Sequence, residues 1–238
     1  MTRPVQRVDY GSAAIEYHVE RRDRATLEIS VRPDGSVRVV APRAAELDEI
    51  AHRVLTRARW IQKQQNYFAQ FRPRTPERQY LPGETHLYLG RQYRLRIAPG
   101  DTQQARLVRG FILVSGVEFN DRESIERLVI AWFRERADVQ FPRRLELNRG
   151  RFSNPDEFAP TSIRTQRMTS QWGSMSPGGR LLLHPDLVRA PVDAIDYVIT
   201  HELCHLAVPN HSRAFFDLQS KVMPDWEVRK ARLERILA

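Results

Sequence analysis

Apolar and polar residues alternate through Ile15-Glu16-Tyr17-His18-Val19-Glu20, through Leu27-Glu28-Ile29-Ser30-Val31 and through Val37-Arg38-Val39. Alternation puts every second side chain on one face, so each run predicts a half-buried β-strand. Between the last two, Pro33-Asp34-Gly35 supplies a fixed φ and then a glycine free to take a positive one, which predicts a hairpin. Pro42 ends the third strand, and the period changes. Leu47, Ile50, Ala51, Val54, Leu55, Ala58 and Ile61 fall on one helical face and predict a single long helix from about Ala45 to Phe71.

Pro73, Pro76 and Pro82 mark a break. Beyond it Leu87–Leu89, Tyr93–Ile97 and Phe111–Val114 read as a second set of strands, with turns at Gly90 and Gly110. A second long helix is predicted from about Asp121, its apolar face made by Ile125, Leu128, Val129, Trp132 and Phe133. Pro142 should end or kink it, which puts Leu145 and Leu147 on a further turn. Residues 148–160 read as a loop. Ser162–Thr165 and Arg180–His184 read as short strands with a turn at Pro177-Gly178-Gly179. Three helices close the chain, at about 192–207, 212–222 and 226–237, the second with Ser212 as N-cap and the last two separated by Pro224-Asp225. No internal repeat or low-complexity segment is visible. The pattern predicts an α+β fold: a β-rich N-terminal region with one long helix over 1–118, then a mainly helical region with a short sheet over 119–238.

Composition narrows the picture without deciding it. The chain has 238 residues, 41% hydrophobic and 28% charged, as in an ordinary globular protein. No apolar run is long enough for a membrane helix, so no membrane partner is expected. The N-terminus does not read as a secretory signal, and the single cysteine, Cys204, asks for no oxidising compartment, so the cytoplasm is expected. The net charge of +9 leaves a nucleic acid open as a partner. Against that, the arginines are spread evenly, and only Lys63, Lys221 and Lys230 are lysines.

The chemistry concentrates near the end. His201-Glu202-Leu203-Cys204-His205 is an HExxH motif inside the apolar helical run Ile195, Val198, Ile199, Leu203 and Leu206. Residues four apart on a helix lie about 40° apart around the axis, one turn above each other. Both imidazoles therefore reach one metal ion at about 2.0–2.1 Å. Glu202, offset by one position, reaches water on that metal without ligating it, as a general base must. Catalytic zinc usually takes three protein ligands plus water, and His211 is the candidate for the third. Pro209 stops the helix before it, and Asn210 tolerates the left-handed conformation that turns a chain back. The spacing equals that of the metzincin signature, but Val208 stands in place of its glycine, and a metzincin is not inferred. Cys204 points to another helix face and reads as a small buried residue.

With these residues in hand, the chain resembles the bacterial YgjP-like metallopeptidase-domain family. The likeness extends to Gln171-Trp172-Gly173-Ser174-Met175-Ser176, to Ile195–Leu206, to Asn210-His211-Ser212 with Phe215, and to Pro224-Asp225-Trp226. At the N-terminal end Val31–Gly35, Ala41-Pro42 and Trp60-Ile61 also fit. The resemblance implies a zincin-like catalytic half, one zinc ion per chain on His201, His205 and His211, Glu202 as catalytic residue, and a peptide or protein substrate. The family is also similar to the SprT-type proteases, some of which act on proteins bound to DNA. Met175 stands where the family usually has cysteine, and His184 where it often has asparagine.

The reading is a zinc-dependent hydrolase, a metallopeptidase in which Glu202 takes a proton from metal-activated water and returns it to the leaving amine. Tyr197, Asn210 and Arg164 are candidates to stabilise the oxyanion. The Trp172-Gly173-Ser174 element reads either as a cleft-lining strand that pairs with an extended peptide or as a core anchor. Two alternatives stay open: a metal-dependent phosphoanhydride (nucleotide) hydrolase, using arginines such as Arg164, Arg167 and Arg180, and a nucleic-acid-associated module with an auxiliary metal site. Oligomeric state is not read from the sequence.

Overall fold

The structure, a computed structural model, describes residues 5–11, 13–32, 34–69, 78–168 and 171–237. Among them are six α-helices and three small sheets in a mixed α/β arrangement. The chain forms two compact units, Met1–Thr75 and Pro76–Leu237. The second set of strands thus groups with the HExxH half, whereas the sequence pattern drew its boundary at 118/119.

The first unit holds β1 (Val5–Tyr10), β2 (Ala13–Arg22), β3 (Glu28–Val31) and β4 (Val37–Pro42), in the order β1-β2-β4-β3. The β3–β4 hairpin forms as the turn chemistry requires: Gly35 takes φ 78°, and Arg32 N–H donates to the Ser36 carbonyl at 2.9 Å. Pro33 of that turn lies outside the described residues. The expected single helix is two, α1 (Leu47–Thr56) and α2 (Ala58–Ala69); Gln70 and Phe71 lie outside the described residues. Arg57 leaves helical geometry at φ −99°, ψ 3°, and its N–H bonds back to Arg53 and Val54, a local tightening of the turn. The apolar stripe survives the break. Ile50, Val54, Ala58 and Ile61 are all fully buried, against Ile15, Tyr17, Val37 and Val39 of the sheet.

The second unit opens with β5 (Thr85–Tyr88), β6 (Arg91–Ala98), β7 (Gln104–Val108) and β8 (Phe111–Ser115), ordered β5-β6-β8-β7. Its pairing is antiparallel, parallel, antiparallel, as in the first sheet. A topology is therefore repeated, although the sequence shows no repeat, because hydrogen-bonding order does not require the same side chains. The long helix α3 (Arg122–Arg149) continues past Pro142, which therefore does not end it. Its buried positions there are Ala137, Phe141 and Leu145, while Pro142 is on the exposed face. The carbonyl that loses its partner thus faces water, and packing on the other side holds the helix.

Next come β9 (Ser162–Thr165), β10 (Gly173–Met175) and β11 (Arg180–Leu183), in the order β10-β11-β9. The turn at 177–179 joins β10 to β11 rather than following β9, which pairs with β11 in parallel. The chain ends in α4 (Val192–Ala207), α5 (Arg213–Val222) and α6 (Trp226–Leu237). One core gathers α3, both sheets and α4 around Phe133, Phe141, Ile112, Leu181, Ile195 and Phe215.

Two features fix α4. Leu89 and Gly90, in the β5–β6 turn, donate backbone bonds to Val188 and Arg189, and a Cβ on Gly90 would sit 2.8 Å from the Pro191 Cα. Only glycine admits that approach. On the other side Asp196, 3% exposed, accepts a two-pronged bond from the Arg144 guanidinium (Nε at 2.7 Å) and a bond from the buried Asn148 amide at 2.8 Å. Thr200 donates to the Asn148 side-chain oxygen at 3.2 Å. This network clamps α3 to α4 one turn before His201.

His86 is fully buried, and neither ring nitrogen has a hydrogen-bond partner among the described residues; the Glu84 carboxylate stands 3.8 Å away. Burial, reinforced by the Arg189 charge and opposed by Glu84, pushes its pKa down from 6.5 to about 4. The folded state thus refuses a proton that the unfolded chain accepts. This contribution to stability is intact above pH 6.5 and is lost as pH falls towards 4. Between pH 7 and pH 5 the loss is about 2 kcal/mol. Urea unfolding of wild type and His86→Phe at both pH values checks this: the variant should lose less, and equal losses would exclude His86 as the source.

Candidate metal centre

Helix α4 begins after Pro191, with Asp193 in its first turn, where a carboxylate favours the helix N-terminus. Ten of its residues are buried, from Ala194 to Cys204. It ends where Pro209 forces Val208 into extended backbone at φ −132°, ψ 99°. Asn210 is not among the residues with positive φ, so the expected left-handed return does not occur. The chain turns through extended Val208 and a tight bend in which Ser212 N–H donates to the Asn210 carbonyl at 2.9 Å. That is enough to bring His211 back over the helix. Ser212 does occupy the N-cap position of α5, without a side-chain capping bond.

The structure brings His201, His205 and His211 together, with one ligand atom from each, all within 4.8 Å of one another. The Nε2 atoms of His201 and His211 are 3.0 Å apart. Tetrahedral ligands on zinc stand roughly 3.3 Å apart, so the spacing is close to what an ion needs. The outward nitrogens are already engaged. His205 Nδ1 faces the Val208 carbonyl at 3.1 Å, and His201 Nδ1 faces the Gln219 side-chain oxygen at 2.9 Å. An N–H donated from each Nδ1 leaves the Nε2 lone pair bare, which is the form a metal binds. Burial lowers the His201 pKa to about 4, with the other two histidines and Lys230 assisting and the Gln219 bond opposing. Burial also lowers His211. His201 and His211 are thus biased towards the neutral form. Beneath them lies Phe215, fully buried, with its ring centroid 4.9, 4.6 and 4.8 Å from those of His201, His205 and His211.

Glu202 is only 7% exposed. Burial raises its pKa to about 7, opposed by a bond from the Met175 backbone N–H. The carboxylate therefore sits against β10. A Cβ on Gly173 would come within 2.7 Å of Glu202 Cγ and 2.9 Å of Val198 Cγ1, so the residue there must be glycine for the strand to lie this close. The Trp172 carbonyl accepts from His184 N–H, and Ser176 N–H donates to Arg180, so the even-numbered residues face β11. Gly173 and Met175 turn their backbone groups to the opposite, unpaired edge. Both readings of the Trp172 element find support here. The edge borders Glu202, and the Trp172 ring packs on the core, edge-on to His184 at 5.3 Å.

Of the oxyanion candidates, Tyr197 lies near His201 with its ring tilted (centroids 5.8 Å apart), its hydroxyl pKa raised by burial. Asn210 lies on the bend before His211. Arg164 sits on β9, which β11 separates from β10. Burial pushes the Cys204 thiol up to about 12, consistent with a packing residue. Gln219 was not singled out from the sequence. Its signal was there: it follows Phe215 by one turn of an amphipathic helix, a polar residue on the buried face. The Met175 N–H, a backbone group, has no signature at all.

The chain is a metallopeptidase-type hydrolase: the family model described as YgjP-like, metallopeptidase domain, matches residues 25–236. It belongs to the YgjP-like metallopeptidase-domain family. Such a family implies a divalent metal and a peptide or protein substrate. No curated protein matches the chain. The crystal structure of the metallopeptidase zymogen of Pyrococcus abyssi abylysin aligns at 21% identity over 38% of this chain and 87% of its own, with a TM-score of 0.32, too low to carry a fold argument. Among the described residues no helix is long and apolar enough to cross a membrane.

Proposed function

We propose that the protein is a zinc-dependent peptidase, with His201, His205 and His211 as the metal ligands, one ion per chain, and Glu202 as the general base. The observation that carries this is the convergence of three imidazoles, with one ligand atom from each within 4.8 Å of the others, next to a buried carboxylate whose pKa is raised to about 7. When bound, zinc supplies Lewis acidity to water and to the scissile carbonyl. Glu202 accepts the proton of the attacking water and hands it to the leaving nitrogen; a pKa of about 7 suits both transfers. The outer edge of β10 offers the Gly173 backbone and the Met175 carbonyl to an extended peptide, the Met175 N–H being taken by Glu202, and such a peptide would add as a further strand beside the base. Tyr197, its ring centroid 5.8 Å from that of His201, is a candidate to steady the developing oxyanion.

The test uses wild-type protein. Elemental analysis should find about one zinc per chain. Mass spectrometry of peptide and nucleotide pools should show new peptide termini, abolished by a chelator and restored by zinc. Cleavage that survives metal removal, or products from the nucleotide pool alone, would refute the proposal.

A further inference from the structure

We infer that Gln219 is a positioning residue for the metal centre: its carboxamide oxygen fixes His201 in the Nδ1–H form and so aims the Nε2 lone pair at the point the three histidines share. The inference rests on the metal-binding reading of that site.

Gln219 is fully buried on α5, and its oxygen stands 2.9 Å from His201 Nδ1. Its Nε2 has no hydrogen-bond partner among the described residues. A buried donor left unpaired weakens a fold. Methionine or leucine would fill the same space without that defect, so packing does not explain a glutamine here. What it alone supplies is an acceptor. The reverse orientation of the amide would donate to Nδ1 and put the His201 proton on Nε2, in the place of a metal ion, where in the metal-free protein it would bridge to His211 Nε2 at 3.0 Å. His205 receives the same service from the chain itself, through the Val208 carbonyl at 3.1 Å. The two ligands on α4 are thus both held by oxygen acceptors, one from the turn that ends the helix and one from α5. Such partners orient an imidazole and raise its basicity as a ligand.

Gln219→Met keeps the length and removes the acceptor. Zinc affinity, measured by competition with a chromogenic chelator, should fall about 10–100-fold, and the visible bands of the cobalt(II)-substituted protein should change. Gln219→Glu keeps the acceptor and discards the orphaned donor. It should bind zinc at least as tightly as wild type and leave the cobalt bands in place. Nitrogen-15 NMR of the metal-free wild type should find the His201 proton on Nδ1, a readout that stands even if the methionine variant does not fold. Binding by Gln219→Met within about twofold of wild type, an equal loss in Gln219→Glu, or a proton on Nε2 would each overturn the inference. A wild type that takes up no zinc would fail earlier, at the metal reading itself, and take this proposal with it.

Discussion

Glu202→Gln is expected to retain zinc and lose turnover by about 10²–10⁴-fold, the usual contribution of a positioned base. The amide has the size and shape of the carboxyl group, so the contacts with Gly173 and Val198 survive. What disappears is the ability to take and return a proton. The metal-free variant should also be more stable than wild type at pH 8. Burial raises the Glu202 pKa from 4.5 to about 7, so the fold binds a proton that the unfolded chain has already released. The acid therefore costs stability as pH rises through that window, up to about 3 kcal/mol above it, and a neutral amide has no such cost. Turnover, metal content and urea midpoints on one preparation decide the matter. A variant that keeps its rate would remove Glu202 from the reaction, and one that loses its metal would make it a ligand.

His201→Ala combined with His205→Ala should leave no bound zinc and no zinc-dependent cleavage. The single remaining donor, exposed His211, cannot hold an ion in the way three converging nitrogens do. Stability reports the same loss independently of any substrate. A metal that binds only the folded chain stabilises it by about 2.7 kcal/mol at a free concentration 100 times its Kd. Wild type should therefore melt higher with zinc than with chelator, while the double variant should melt alike in both. A zinc-dependent shift that persists in the variant would place the ion elsewhere.

The helices that build the site were legible because each carries a strong period and clear punctuation. Pro191 opens α4, Pro209 closes it, and Pro224 separates α5 from α6; all three helices lie where the pattern put them. The strands that escaped were β1 and β7, which form the outer edges of their sheets. An edge strand buries little: β7 has no buried residue, and β1 has only Val8. Alternation is the imprint of burial, so it fades there. β10 was offered only as one of two readings of the Trp172-Gly173-Ser174 element, because it is three residues long and because the reason for its glycine, a close approach to Glu202, is encoded by no local pattern. Pro142 misled because the sequence does not say which side of α3 faces water. His201, Glu202, His205 and His211 could be read because their spacing is itself the chemistry. Gln219 and the Met175 N–H act across the fold, where spacing along the chain carries no message.

The histidines are neighbours in sequence as well as in space. His201 and His205 share one helix, and His211 follows after the single interruption at Pro209. Gathering them closes only a short loop, and the entropy lost is correspondingly small. Glu202 is served differently. Its backbone partner comes from β10, which must first be laid against β11. The three histidines can therefore converge without the sheet, whereas the setting of Glu202 requires it. On the proposed reading, the metal ligands would be gathered by local chain alone, while Glu202 would lack its backbone partner in any chain whose β10 and β11 had not yet paired.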